Sequence, residues 1–291
     1  MVVDARISVT RIPELSAIYF ALLQCGYGYY AVGKDAALVR AIESFHTGGY
    51  PSVEPFFSKV RRDGCDTYPY WPRAALLEAA TFFLDGANAQ FRDVDAFRRH
   101  VMSASNISDA ERNDEFWCWM RGFPAALGSI MADEAFRSYL RWEEEWIAQQ
   151  RRLLENDLSE LANILDTCAK YHASRVRQVS VVLTAIKCAY SADYHIAGNR
   201  LFYCAGAFRK ESVVHEFLHH AIRPSIVECR ELILRHDRSY PDIDPSYYLR
   251  GDERGRLNAF EEYLVRKLTP LAVADRLPPN LGMYIREILA T

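Results

Sequence analysis

The string His215-Glu216-Phe217-Leu218-His219 carries the strongest chemical signal in the chain. On a helix, residues four apart share a face, so His215 and His219 can direct two imidazoles at one ion from successive turns. Glu216 lies one step round the same helix, where it can reach a water on that ion without ligating it. Zinc held by two imidazoles and one carboxylate keeps a fourth position for water and lowers that water's pKa toward ~7. The glutamate can then take the proton as the water attacks a polarised carbonyl. The string alone arises by chance in on the order of one chain in a hundred. Its neighbours add weight, because Val213, Val214, Phe217, Leu218, Ala221 and Ile222 give the helix a buried face. Two imidazoles and a carboxylate are costly to bury there without a partner.

A third ligand has to come from elsewhere, since no histidine follows His219 at the short spacing of the metzincin motif. The candidates are Glu261 and Glu262, on the helix expected at Leu257–Leu268. Helical geometry places Glu261 on the apolar side, between Leu257, Leu264 and Leu268, while Glu262 has Arg266 at i+4 as a simple ion-pair partner. Both could therefore be ordinary solvated helix charges. An oxyanion donor would come from the loop between the two helices, where Tyr247, Tyr248 and His236 are candidates and Tyr248 is preferred. His220 points ~100° away from its ligand neighbour round the helix and suits a supporting role. His195 reads as a loop residue.

The elements that must position these groups follow from periodicity. Apolar residues at three- and four-residue spacing predict helices at Glu14–Cys25, Asp35–Phe45, Arg73–Leu84, Val94–Ala104 and Asp109–Leu127, the last with Ser108 as N-cap. Gly48 to Pro72, including Tyr68-Pro69-Tyr70-Trp71, reads as aromatic connecting loops. Residues 132–171 form a long charged helical stretch with a break near Asn156–Ser159, and Glu143-Glu144-Glu145 reads as its solvated face. Strands are expected at Arg175–Ile186 and Asn199–Ala205, with turn residues at Ser191–Gly198 between them and 199–204 forming the sheet edge. The helix beginning at Lys210 is expected to stop at Pro224. Another follows at Ile226–Leu234, then the carboxylate-bearing helix and a short terminal one.

With the strand-strand-helix run Val176–Ile222 and the string Phe260-Glu261-Glu262-Tyr263-Leu264 in place, a resemblance can be stated. The C-terminal half resembles gluzincin-type zinc metallopeptidases, and looks closest to poorly characterised bacterial members with a helical N-terminal region. Before Arg175 the similarity is faint. The resemblance implies one zinc per chain, His215, His219 and Glu262 as ligands, Glu216 as general base, and a peptide or protein as substrate. It implies an α+β, zincin-like fold: a mostly helical N-terminal lobe at 1–172, then a catalytic lobe at 173–291 with a small twisted sheet, the HExxH helix and a helical end. The sequence departs from thermolysin in having Arg266, not Asp, four residues after Glu262. The partner that orients a ligand histidine must therefore be another group, such as Asn258 or a backbone carbonyl. The alternative is a metal-holding, non-catalytic sensor or scaffold.

The bulk properties fit a globular chain of 291 residues, half of them apolar and a quarter charged. A net charge of −3 provides no basic surplus for nucleic acid or anionic lipid. No run approaches the roughly 20 apolar residues that span a bilayer. Seven scattered cysteines without a CxxC pair read as reduced thiols of a cytoplasmic protein.

Overall fold

The computed structural model describes residues 6–50, 53–54, 95, 99, 117–118, 120–171, 176–236, 240, 242–243 and 253–290. The helix expected at 73–84, most of that at 94–104, residues 109–116 of that at 109–127, the Tyr68–Trp71 cluster, and Tyr247 and Tyr248 lie outside the described residues. Among those described, nine α-helices and one four-stranded sheet make a mixed α+β chain that is mostly helical. It divides into two units interleaved in sequence: Ser8–Leu154 with Val179–Phe208, and Met1–Ile7 with Glu155–Gln178 and Arg209–Thr291. This differs from the expected boundary near 172: the strands group with the N-terminal helices, and a helix before 172 groups with the C-terminal ones.

The first unit is built on α1 (Pro13–Gln24), which has proline at its first turn and every residue from Leu15 onward buried. A helix apolar all round belongs at the centre of a core. Phe20 meets Phe136 and Tyr139 edge-on or tilted at 5.4 and 5.5 Å. Short α2 (Ala36–Glu43) starts at Asp35, whose Oδ1 accepts from the backbone N–H groups of Ala37 and Leu38, both at 2.9 Å. After α3 (Phe123–Met131), α4 (Glu134–Leu153) buries Phe136, Tyr139, Glu143 and Ile147, a three-four-four stripe. Glu143 is thus fully buried, contrary to the solvated face expected for 143–145. Its neighbours behave differently: Glu144 pairs with Arg11 at 2.8 Å, and Glu145 is exposed.

The sheet has the order β1-β2-β4-β3, from β1 (Ile7–Thr10), β2 (Gln178–Leu183), β3 (Ala192–Ala197) and β4 (Arg200–Ala205). Two expectations are corrected here. Residues 192–197, read as a turn, form β3, and 199–204 is not the edge, because β4 lies between β2 and β3. The reason is a hairpin: β3 pairs antiparallel with β4 from Ala192↔Ala205 to Ala197↔Arg200, and Gly198 takes φ 60° at the two-residue connection. The chain leaves β4 through Gly206, where any Cβ would strike the Lys187 carbonyl.

The second unit is helical. Helices α5 (Glu155–Cys168), α6 (Lys210–Glu228), α7 (Arg230–Arg235), α8 (Glu253–Val273) and α9 (Leu281–Ala290) pack with α6 against α5, α8 and α9. Leu161, Leu165, Val214, Leu218, Leu264 and Leu268 lie in its core, each side chain contributing about 1.5–3 kcal/mol on burial. Helix α6 runs through Pro224 and does not stop there. Proline removes one hydrogen bond to the preceding turn, but Ile226 continues the buried stripe of Ala221 and Ile222 beyond it. No described helix is long and apolar enough to cross a membrane.

Candidate metal centre

Two helices of the second unit build the site. Helix α6 carries His215, Glu216 and His219, and α8, packed against it, carries Glu261 and Glu262. The imidazoles of His215 and His219 stand 5.0 Å apart at 73°, with their Nε2 atoms separated by 3.3 Å. Glu262 Oε2 reaches to 3.5 Å from His215 Nε2 and 3.2 Å from His219 Nε2. The structure therefore brings His215, His219 and Glu262 together as one trio, with Glu262 facing the histidine pair.

Both carboxylates on α8 are buried, at 6% exposure for Glu261 and 3% for Glu262, so neither is a solvated helix charge. They do different things. Glu262 accepts from Arg266 Nε through Oε1 at 2.6 Å, the i+4 pair visible in the sequence. Arg266 is anchored in turn by the Asp242 carbonyl at 2.5 Å. Glu262 Oε2, buried and without a hydrogen bond of proper geometry, is left for the imidazole nitrogens. Glu261 turns to His219, whose Nδ1 lies 2.9 Å from Oε1, and its other oxygen pairs with Arg223. A carboxylate only accepts, so this contact puts a proton on Nδ1 and aims the other ring nitrogen at Glu262.

The orienting partner of His219 is thus Glu261; Asn258 and a backbone carbonyl, the groups expected for it, do not fill that role. The signal was present in the sequence. Glu261 sits on the apolar side of its helix, where a charge has to be paired, and Arg223 lies four residues after His219. His236 donates Nδ1 to the Leu232 carbonyl at 2.8 Å, closing the end of α7. His220 rests edge-on against Phe217 at 6.3 Å. His195 lies in β3, opposite Phe202. Tyr248, preferred as oxyanion donor, is outside the described residues.

The electrostatics are those of a buried site that favours positive charge. Burial alone would raise the Glu262 carboxyl, but His215 and His219 outweigh it and hold it well below the usual range. Burial lowers His219, yet Glu261 and Glu262, with Glu216 contributing, bring it up to about 10.

The spacing of the three donor atoms is compatible with one small metal ion. Bonds of about 2.0–2.2 Å in a tetrahedron put ligand atoms roughly 3.3–3.6 Å apart, close to the observed 3.2, 3.3 and 3.5 Å. Right-angle ligation at the same bond lengths would need about 2.8–3.1 Å. A hollow of ≈ 480 Å³, walled by Glu211, Arg266, Thr269, Pro270 and Val273, opens beside His215. Comparison of the chain with protein-family models, with curated proteins and with solved structures gives no match.

Proposed function

We propose that the chain is a zinc-dependent hydrolase of gluzincin type with a zincin-like catalytic unit, acting on peptide bonds. The observation that carries this reading is the convergence of His215 Nε2 and His219 Nε2, both partly buried, on the buried Glu262 Oε2, with separations of 3.2, 3.3 and 3.5 Å and with the last atom lacking any other partner. The HExxH spacing on α6 adds the general base that a purely structural site does not need. A zinc ion held there supplies Lewis acidity and brings a water molecule toward ionisation near neutral pH.

The chain's own groups have distinct tasks in this reading. Glu261 and Arg223 hold His219 in the tautomer whose Nε2 is free to ligate, and Arg266 fixes Glu262 so that one oxygen faces the trio. Glu216 takes the proton from the attacking water and delivers it to the departing amine. His215 borders the open hollow, which gives solvent and substrate a path to the trio.

Glu216→Gln tests the assignment. It is expected to retain near-stoichiometric zinc while hydrolysis of a casein or mixed-peptide substrate falls by at least about 10²-fold. Wild-type protein without zinc would reject the metal reading. Zinc without hydrolysis in the wild type would leave a metal-holding scaffold, and bound iron would point to the facial-triad chemistry that the same donors serve in oxygenases.

A further inference from the structure

A different face of the molecule carries chemistry that the metal centre does not use. In the unit containing Ser8–Leu154, a groove of ≈ 500 Å³ runs between α4 and the segment that enters α2. Its α4 wall presents Trp142, Glu145, Trp146 and Gln149, which share a helical face. Lys34 and Asp35 stand opposite. The Trp142 indole is held in place by Phe45 at 5.4 Å and Tyr139 at 5.7 Å, so it is a rigid platform.

The hydrogen-bonding groups around this groove are largely unengaged. Among the described residues, neither indole N–H, nor the Glu145 carboxylate, nor the Gln149 carboxamide bonds to another protein group. Lys34 Nζ gives two hydrogens to the Tyr30 and Lys187 carbonyls at 2.6 and 2.5 Å, which leaves a third. Asp35 caps α2 through Oδ1 alone, which leaves Oδ2.

This set selects a ligand by chemistry. Lys34 opposes Asp35 and Glu145 within one groove, so a strongly charged ligand of either sign would meet its own sign. Donor-only groups (two indoles and an ammonium) stand beside acceptor-only carboxylates, and a hydroxyl group can satisfy both kinds. The indoles add apolar surface for a flat C–H face, with their polar edge still wet. We infer that this groove binds a neutral saccharide, of roughly one or two rings for a pocket of this size. The inference does not rest on the metal-centre reading.

Titration calorimetry of the full chain with maltose, cellobiose and N,N′-diacetylchitobiose, with and without a metal chelator, tests it. At least one sugar is expected to bind with Kd at or below about 1 mM, and the chelator should leave that Kd unchanged. Trp146→Ala should weaken binding at least about tenfold. Gln149→Ala, at an exposed position where folding is not at stake, should weaken it severalfold. Absence of binding by all three sugars at about 10 mM overturns the inference. So does binding that both variants leave unchanged, or tighter binding of capped dipeptides or sugar acids than of the neutral sugars.

Discussion

Each unit buries a glutamate, and the two are handled in opposite ways. Glu143, on α4, has both oxygens fully engaged: Ser16 donates to Oε2 at 2.5 Å, while Tyr139, Thr184 and the Ala185 N–H donate to Oε1 at 2.5, 2.8 and 3.0 Å. Its donors come from α1, α4 and the end of β2, so the carboxylate ties three elements together. Glu262, on α8, has one oxygen held by Arg266 and the other directed at two imidazole nitrogens without a hydrogen bond. A buried carboxylate with both oxygens hydrogen-bonded by the fold is a structural node. One that keeps an oxygen facing a cluster of imidazole nitrogens fits the metal-ligand role proposed for it. The neighbouring charges agree: burial outweighs the neutral donors and raises Glu143, whereas His215 and His219 outweigh burial and lower Glu262.

Removing each carboxylate should separate the two roles. Glu262→Ala is expected to abolish zinc retention, seen as loss of near-stoichiometric metal after gel filtration. A variant that kept its zinc would end the distinction drawn here. Glu143→Ala should leave zinc stoichiometry intact but strand three hydroxyls and an N–H in the core, costing on the order of 3–5 kcal/mol in urea unfolding. An unfolding free energy within error of wild type would show that the node is dispensable.

A smaller effect is expected one step behind the trio. Glu261→Gln should still accept from His219 but lose its charge and its pairing with Arg223, weakening zinc about 10–100-fold against a competing chelator. If the affinity fell as far as in Glu262→Ala, Glu261 would itself be a ligand.

The most gradual effect is on pH. In the ion-free chain His219 is raised from 6.5 to about 10, so its contribution to stability is full below 6.5 and is lost as pH rises toward 10. Glu262 is lowered, so its contribution is present above about 4.5 and is lost as pH falls below that value. Chelator-treated protein should therefore lose stability between pH 6.5 and 10. Zinc-loaded protein should not, because the metal displaces the proton and binds more tightly as pH rises. Parallel unfolding curves for the two forms across that range would contradict the assignment.

Much of the site was legible in the sequence, since helical periodicity alone puts His215 and His219 on one face and Glu216 beside them. The same periodicity gave α1, α2, α6 and α8, whereas the break expected near Asn156–Ser159 falls at Leu154, and 156–159 lie within α5. It was less reliable where pairing decides the outcome. β3 contains Asp193, Tyr194 and His195, a weak strand pattern, and forms because β4 offers a partner through the Gly198 turn. Pro224 was read as a stop because local rules weigh one lost hydrogen bond and do not see the buried face that continues past it.

What the sequence determined by itself is the spacing of donors along single helices, because that depends only on a rise and a turn per residue. What the tertiary structure decided is which carboxylate does what. Glu261 and Glu262 are adjacent, identical in type and both buried, and only the packing of α8 on α6 sends one toward His219 Nδ1 and Arg223 and the other toward the Nε2 pair. The same holds for Glu143: Tyr139 reaches it from one turn away on the same helix, but Ser16, Thr184 and Ala185 lie 127, 41 and 42 residues away in sequence and meet it only in the folded core. Distances between separate elements are fixed by how their side chains fit together, and no local pattern encodes that.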